Sequence, residues 1–146
     1  LTQGSAHIEF AMHQGSPVLF ELGARCGGGH TPQIAYHVSG VNEFIEYCRM
    51  ACGLPPEQFY PLRQYGAEYR FLAFNEGIIQ DIQIPDVVRN HPSVYDVDIT
   101  MKPGDVIHPL RTSADRAGFA VCLADTRAQA ALLGEWVQEQ IKIKYE

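Results

Sequence analysis

The sequence predicts an α+β fold, an antiparallel sheet with flanking helices, and three observations carry that expectation. Short apolar/polar alternations recur, most clearly over residues 6–12 and 94–101. Turn residues join neighbouring strand-like runs in hairpin fashion. Helical patterns with recognisable caps are confined to residues 32–53 and 126–141.

In chain order, Ala6 to Met12 alternates, with Ile8, Phe10 and Met12 on one face and His7, Glu9 and Ala11 on the other. Pro17 to Leu22 is the second strand, and His13 to Ser16 supplies the turn. With Gln14-Gly15-Ser16 as a three-residue loop, His13 faces Pro17 and Glu9 faces Glu21. A helix is predicted from Thr31 as N-cap and Pro32 at its first position to Gly40. Asn42 caps a second helix that ends at Gly53, and a proline-rich connector covers Leu54 to Pro61.

Strands follow at Ala67 to Phe74 and Gly77 to Ile84, joined by Asn75-Glu76-Gly77. Pro85 to Pro92 is at most a short helix. Val94 to Met101 is a strand, Lys102 to Asp105 a turn and Ala117 to Asp125 a strand. An amphipathic helix spans Thr126 to Ile141, capped by Thr126 or Asp125, before the terminal residues KIKYE.

The 146 residues suit one domain or two small lobes with a core of their own. A net charge of −6 without a basic stripe argues against general nucleic-acid affinity. No apolar run is long enough to cross a membrane and no signal peptide is visible. Cys26, Cys48, Cys52 and Cys122 lack a framework spacing, which points to a reducing cytoplasm. The chain opens on Leu1 with no methionine before Met12, as a piece of a longer protein would.

The chemistry concentrates between residues 9 and 32. Carboxylates of Glu9 and Glu21 placed opposite each other would repel by roughly 4 kcal/mol at about 4 Å. A bound Mg²⁺ or Mn²⁺ would turn that repulsion into a reason for the arrangement. A register differing by one residue would instead put the two acids on opposite faces, with no site. Arg25 follows Glu21 by four residues, where a guanidinium could serve a metal-bound phosphate. Gly27, Gly28 and Gly29 let backbone N–H groups approach an anion, next to a helix N-terminus. A mobile loop with a surface arginine is the plain alternative. His30 lies in the same loop, either touching substrate or simply solvated. Cys26-x₃-His30 and Cys48-x₃-Cys52 raise zinc, but no second half completes a four-ligand set. Cys48 and Cys52 read better as small hydrophobes packed on one helix face.

The stretch HIEFAMHQGSPVLFELGARCGGGHTPQIAYHVSGVN resembles the closing part of the ATP-grasp domain. There an acidic residue on one strand and E-x-N/G-x-R on the next precede a glycine-containing loop and a helix that ends before G-x-[DN]. His7-x-Glu9-Phe10 matches the first element, and Glu21-Leu22-Gly23-Ala24-Arg25 matches the second in the form seen in L-amino acid ligases and related carboxylate–amine ligases. Many members carry a metal-ligating Asn where Gly23 stands, so one ligand is missing or replaced here. Residues 66–146, with GAEYRFLAFNEGII, MKPGD and SADRAGFAVCLADT, look like the small C-terminal domain of the same group.

The resemblance implies the C-terminal half of an ATP-grasp domain over residues 1–60 and a small α+β domain over 61–146. It further implies Mg²⁺ (or Mn²⁺) on Glu9 and Glu21, ATP as co-substrate, and an acyl phosphate that an amine attacks. Arg25 would stabilise the phosphoryl group, and Gly27, Gly28, Gly29 and His30 would line the acceptor side. The partners implied are a small-molecule carboxylate and amine, with a homodimer left open. The phosphate-binding lysines and adenine hinge of that family belong to a preceding lobe outside these residues, so the chain alone is expected to be inactive. Two rivals stand beside this reading: a non-catalytic α+β module that binds a ligand or partner, and a metal-dependent hydrolase, which would need a further ligand cluster.

Overall fold

A computed structural model describes residues 4–57 and 66–146. The chain divides into two compact units, Leu1–Arg63 and Gln64–Glu146. The domain boundary expected between residues 60 and 61, the end of the proline-rich connector, and Leu1 to Gln3 lie outside the described residues.

The first unit opens with a hairpin of β1 (His7–His13) and β2 (Ser16–Gly23). Its turn has two residues, not the three expected, because Gln14 and Gly15 both adopt positive φ, 49° and 80°. That is the sign pattern of a type I′ turn, which matches the twist of paired strands. His13 therefore faces Ser16, one residue short of the expected register. The ladder then shifts between Glu9 and Phe10: Phe10 pairs with Leu19, whereas Glu9 pairs with Glu21. The unpaired extra residue, Phe20, is a β-bulge that restores the Glu9–Glu21 pairing by a different route.

Helix α1 runs Thr31–Ser39 and begins one residue earlier than expected. Thr31 N–H bonds to Gly28 O (3.3 Å), and this turn brings the chain into its helical course early. His30, not Thr31, thus holds the N-cap position, and it gives no side-chain cap. The helix stops where Gly40 turns left-handed at φ 82°. Helix α2, Glu43–Ala51, is capped by the Asn42 side chain, which accepts from Ile45 N–H. Its Glu46 is buried and accepts from Glu57 N–H (2.9 Å), while Arg49 donates to Pro55 O (3.1 Å), so α2 anchors the start of the connector.

The second unit contains β3 (Gly66–Leu72), β4 (Gly77–Gln83), α3 (Asp86–Arg89), β5 (Val94–Ile99), β6 (Val106–Ile107), a 3-10 turn at Ser113–Asp115, β7 (Gly118–Ala124), α4 (Arg127–Gln140) and β8 (Lys142–Tyr145). They form two antiparallel three-stranded sheets, in the orders β3-β7-β5 and β6-β4-β8. The Asn75-Glu76-Gly77 link therefore does not close a hairpin: it carries the chain from one sheet to the other. Gly77 takes φ +148°, and a Cβ there would stand 2.8 Å from the Tyr145 ring, so only glycine fits beside β8.

Helix α4 is capped by Thr126 in a capping box with Gln129, which decides between the two expected caps. It packs on β3 and β7, and Gly134 brings it so close that a Cβ would meet Glu68 Oε2 at 2.8 Å. Leu72, Val88, Val94, Ala120, Cys122, Val137 and Ile141 form the buried core of this unit.

Candidate functional site

The hairpin register puts Glu9 and Glu21 directly across the ladder, and cross-strand partners share a face. The two acids are not left facing each other alone. His7 Nε2 donates to Glu9 Oε1 at 3.1 Å, and Arg25 Nη2 stands 3.8 Å from Glu21 Oε1. Each acid thus has its own cation-capable neighbour, and a metal is not required to offset their repulsion. These are weak restraints, however. Glu9, Glu21 and Arg25 are each more than half exposed, and exposed pairs contribute about 0–1 kcal/mol. A stronger ligand for either carboxylate could displace them at little cost.

Arg25 sits where β2 gives way to the loop. Its N–H closes a tight turn to Gly23 O (2.9 Å), and its Nη1 donates to Cys26 O (3.1 Å). The guanidinium is held near Glu21 by this local folding, with the rest of its donor edge free for an anion.

In the glycine loop, Gly29 has φ +59°, and Gly27 is crowded. A Cβ on Gly27 would meet Thr31 at 3.1 Å and His7 Nδ1 at 3.4 Å. His7 therefore bridges the loop and the acid: one edge packs on Gly27, and Nε2 holds Glu9. Gly28 faces open space. His30 is half-buried at the start of α1. The structure thus gathers Glu9, Glu21 and Arg25 at one end of the hairpin, adjoined by the loop that contains Gly27, Gly28, Gly29 and His30.

His7 is the participant that sequence reasoning passed over. Its signal was present, because residues two apart on a strand share a face and His7 precedes Glu9 by two. Among the described residues no group of three or more His, Cys, Asp or Glu side chains could cage a metal ion. Cys48 and Cys52 are exposed rather than packed, and they share an open apolar surface with Phe44, Ile45 and Leu54. No described helix is long and apolar enough to cross a membrane.

The described residues thus hold paired acids on a hairpin, an arginine at its end, a glycine loop running into a helix, and then a separately cored antiparallel unit. The chain belongs to the family described as L-amino acid ligase C-terminal domain 2, whose model matches residues 70–146.

Among solved structures, the chain is similar to an L-amino acid ligase from Bacillus licheniformis, with a TM-score of 0.82 at 21% identity over 99% of this chain and 36% of that one. It is also similar to a phosphoribosylglycinamide synthetase from Anaerococcus prevotii, with a TM-score of 0.79 at 15% identity over 97% of this chain and 37% of that one. A curated relative, the uncharacterized protein y4rH of Sinorhizobium fredii (strain NBRC 101917 / NGR234), is 25% identical over 138 residues, 94% of this chain and 29% of its own. The chain spans about a third of the length of these relatives.

Proposed function

We propose that this chain is the C-terminal part of a longer ATP-dependent carboxylate–amine ligase, in which residues 1–60 complete the ATP-grasp lobe and residues 61–146 form the small domain after it. The observation that carries the reading is the Glu9–Glu21 cross-strand pairing with Arg25 beside Glu21. The family membership of residues 70–146 supports it from the other unit.

In this reading Glu9 and Glu21 hold Mg²⁺ (or Mn²⁺), which neutralises the charge on ATP phosphates. The residues present suit that role in one respect. Mg²⁺ typically takes one or two carboxylates and completes its shell with phosphate and water, so two acids without a third ligand are enough once nucleotide is bound. His7 orients Glu9 through Nε2. Arg25 presents its donor edge to the phosphoryl group as a carboxylate substrate becomes an acyl phosphate. The backbone N–H groups of Gly27, Gly28 and Gly29, with His30, line the side from which the amine attacks. The four free cysteines suit a reducing cytoplasm.

The test is a Mg²⁺ titration of the longer enzyme. Glu21→Gln should raise the Mg²⁺ concentration needed for activity, because an amide is a poorer ligand for a hard cation. An unchanged Mg²⁺ dependence would remove Glu21 from the site. Calorimetry of the 146-residue chain alone should find Mg-ATP binding weak or absent, since affinity depends on contacts made together. A micromolar dissociation constant would contradict the proposed division of the site.

A further inference from the structure

Phe44, Cys48 and Cys52 follow one another at four-residue spacing, and so form one stripe of helix α2. Cys52 is the C-cap, yet its N–H still bonds to Cys48 O at 3.0 Å, so the helical course holds through both cysteines. Both thiols are free and exposed. They open onto one shallow surface, shared with Phe44, Ile45, Arg49 and Leu54.

The spacing suits one atom bridging two sulfurs better than a direct bond between them. Residues four apart on a helix hold their Cβ atoms about 5–6 Å from each other. A disulfide needs Cβ atoms about 3.8 Å apart, so forming one would unwind the last turn of α2. Two metal–sulfur bonds laid end to end span about 4.6 Å, taking the length of about 2.3 Å found at zinc, and that distance fits between the thiols with the helix intact.

The donors choose the metal. Among the described residues no third His, Cys, Asp or Glu joins the pair. Structural zinc asks for four ligands and Mg²⁺ for oxygen, so neither is served here. Soft thiolates select Cu(I), and this ion is content with two of them in a line. Phe44, Ile45 and Leu54 supply an apolar rim, which favours a bare, polarizable ion over a hydrated one. Two thiolates on one Cu(I) leave a single negative charge, which the C-terminal end of a helix disfavours. Arg49 offsets part of it: its Nη2 donates to Pro55 O (3.1 Å) and its Nε stands 3.6 Å from Glu46 Oε1, which fixes the guanidinium on the same surface.

We propose that Cys48 and Cys52 form a two-coordinate site for one soft monovalent cation, Cu(I). Each thiol releases its proton to solvent as its sulfur–copper bond forms, and no electron changes hands. The site differs in kind from the Glu9–Glu21 pair, with sulfur donors for a soft ion in place of oxygen donors for a hard one. The inference concerns helix α2 alone and does not depend on the ligase reading.

The experiment is an anaerobic titration of the reduced 146-residue chain with Cu(I), in competition with the colorimetric chelator bicinchoninate. One Cu(I) should leave the chelator per chain, and X-ray absorption should find two sulfurs around it. Cys48→Ser and Cys52→Ser, at exposed positions where folding is not at stake, should each weaken binding by at least about 100-fold, more than altering a group that only orients a ligand. Cys26→Ser and Glu21→Gln should bind as the parent does, which separates this site from the glycine loop and the hairpin. Loading should leave the elution volume on size exclusion unchanged, because the metal bridges two residues of one chain. Failure to take Cu(I) from the chelator would overturn the proposal. So would tight binding that survives Cys48→Ser, binding lost with Cys26→Ser, a third sulfur on the metal, or pairing of chains on loading.

Discussion

The two units treat their apolar residues in opposite ways. In the second, Leu72, Ile79, Val88, Val121 and Val137 are at most 2% exposed. In the first, the hairpin leaves Phe10, Met12, Leu19, Phe20 and Leu22 each more than half exposed. A two-stranded hairpin is marginal by itself, and contiguous apolar exposure of this kind marks a surface that expects cover. The lesson is one of division of labour. The second unit carries its own stability, whereas the hairpin that holds Glu9, Glu21 and Arg25 has the character of one edge of a larger sheet, as the proposed longer ligase requires.

The sharpest way to break this contrast is a pair of alanine substitutions read by urea unfolding. Leu72→Ala should cost about 2–5 kcal/mol, the usual range for a buried leucine. Phe20→Ala, at the bulge, should change the stability of this chain by less than about 0.5 kcal/mol. Equal effects would mean that the hairpin is as firmly cored as the second unit.

Cysteine reactivity sharpens the comparison with a smaller effect. Burial, with the Glu68 charge beside it, pushes the Cys122 thiol up to about 11 from its ordinary 9.0. Alkylation at pH 8 followed by mass spectrometry should therefore modify exposed Cys48 and Cys52 and spare Cys122. The sign for stability follows. The fold favours the neutral thiol, so the Cys122 contribution is complete below pH 9 and is lost as pH rises towards about 11. Chemical unfolding across that window should show the second unit weakening, and Cys122→Ala should remove that part of the slope.

The smallest expected effect is local to the hairpin turn. Gln14 holds φ 49° without being glycine. Gln14→Asn, which tolerates that region better and creates the favoured Asn-Gly pair, should stabilise the chain by about 0.5–1 kcal/mol. A destabilised variant would show that the Gln14 side chain itself supports the turn.

Much of this architecture was legible in the sequence, and particular residues show where reading stopped. Alternation located β1 and β5, and caps located Asn42, Gly40 and Thr126, because those signals are local. The hairpin turn was misread by one residue, since Gln14 is an unusual choice for positive φ. The bulge at Phe20 hid the error, so the Glu9–Glu21 pairing emerged from two offsetting departures. The link at Asn75 looked like a hairpin, but whether a turn closes a ladder or leads to another sheet depends on distant partners, here β7 and β8. Strand β6 has two residues and carries no period at all. Strand β8 did carry one, with Ile143 packed inward between Lys142 and Lys144, in a segment read only as a tail.

The central claim is that Arg25 acts on charge that develops during phosphoryl transfer, and steady-state kinetics of Arg25→Ala in the longer enzyme tests it most directly. Loss of one preorganised donor should lower kcat by roughly 10²-fold or more while the apparent affinity for ATP changes little. Arg25→Lys should recover only part of the loss, because an ammonium keeps the charge without the planar fork. A kcat for Arg25→Ala within about twofold of the parent, under ~0.5 kcal/mol in barrier, would contradict the account and leave Arg25 as a surface residue beside Glu21.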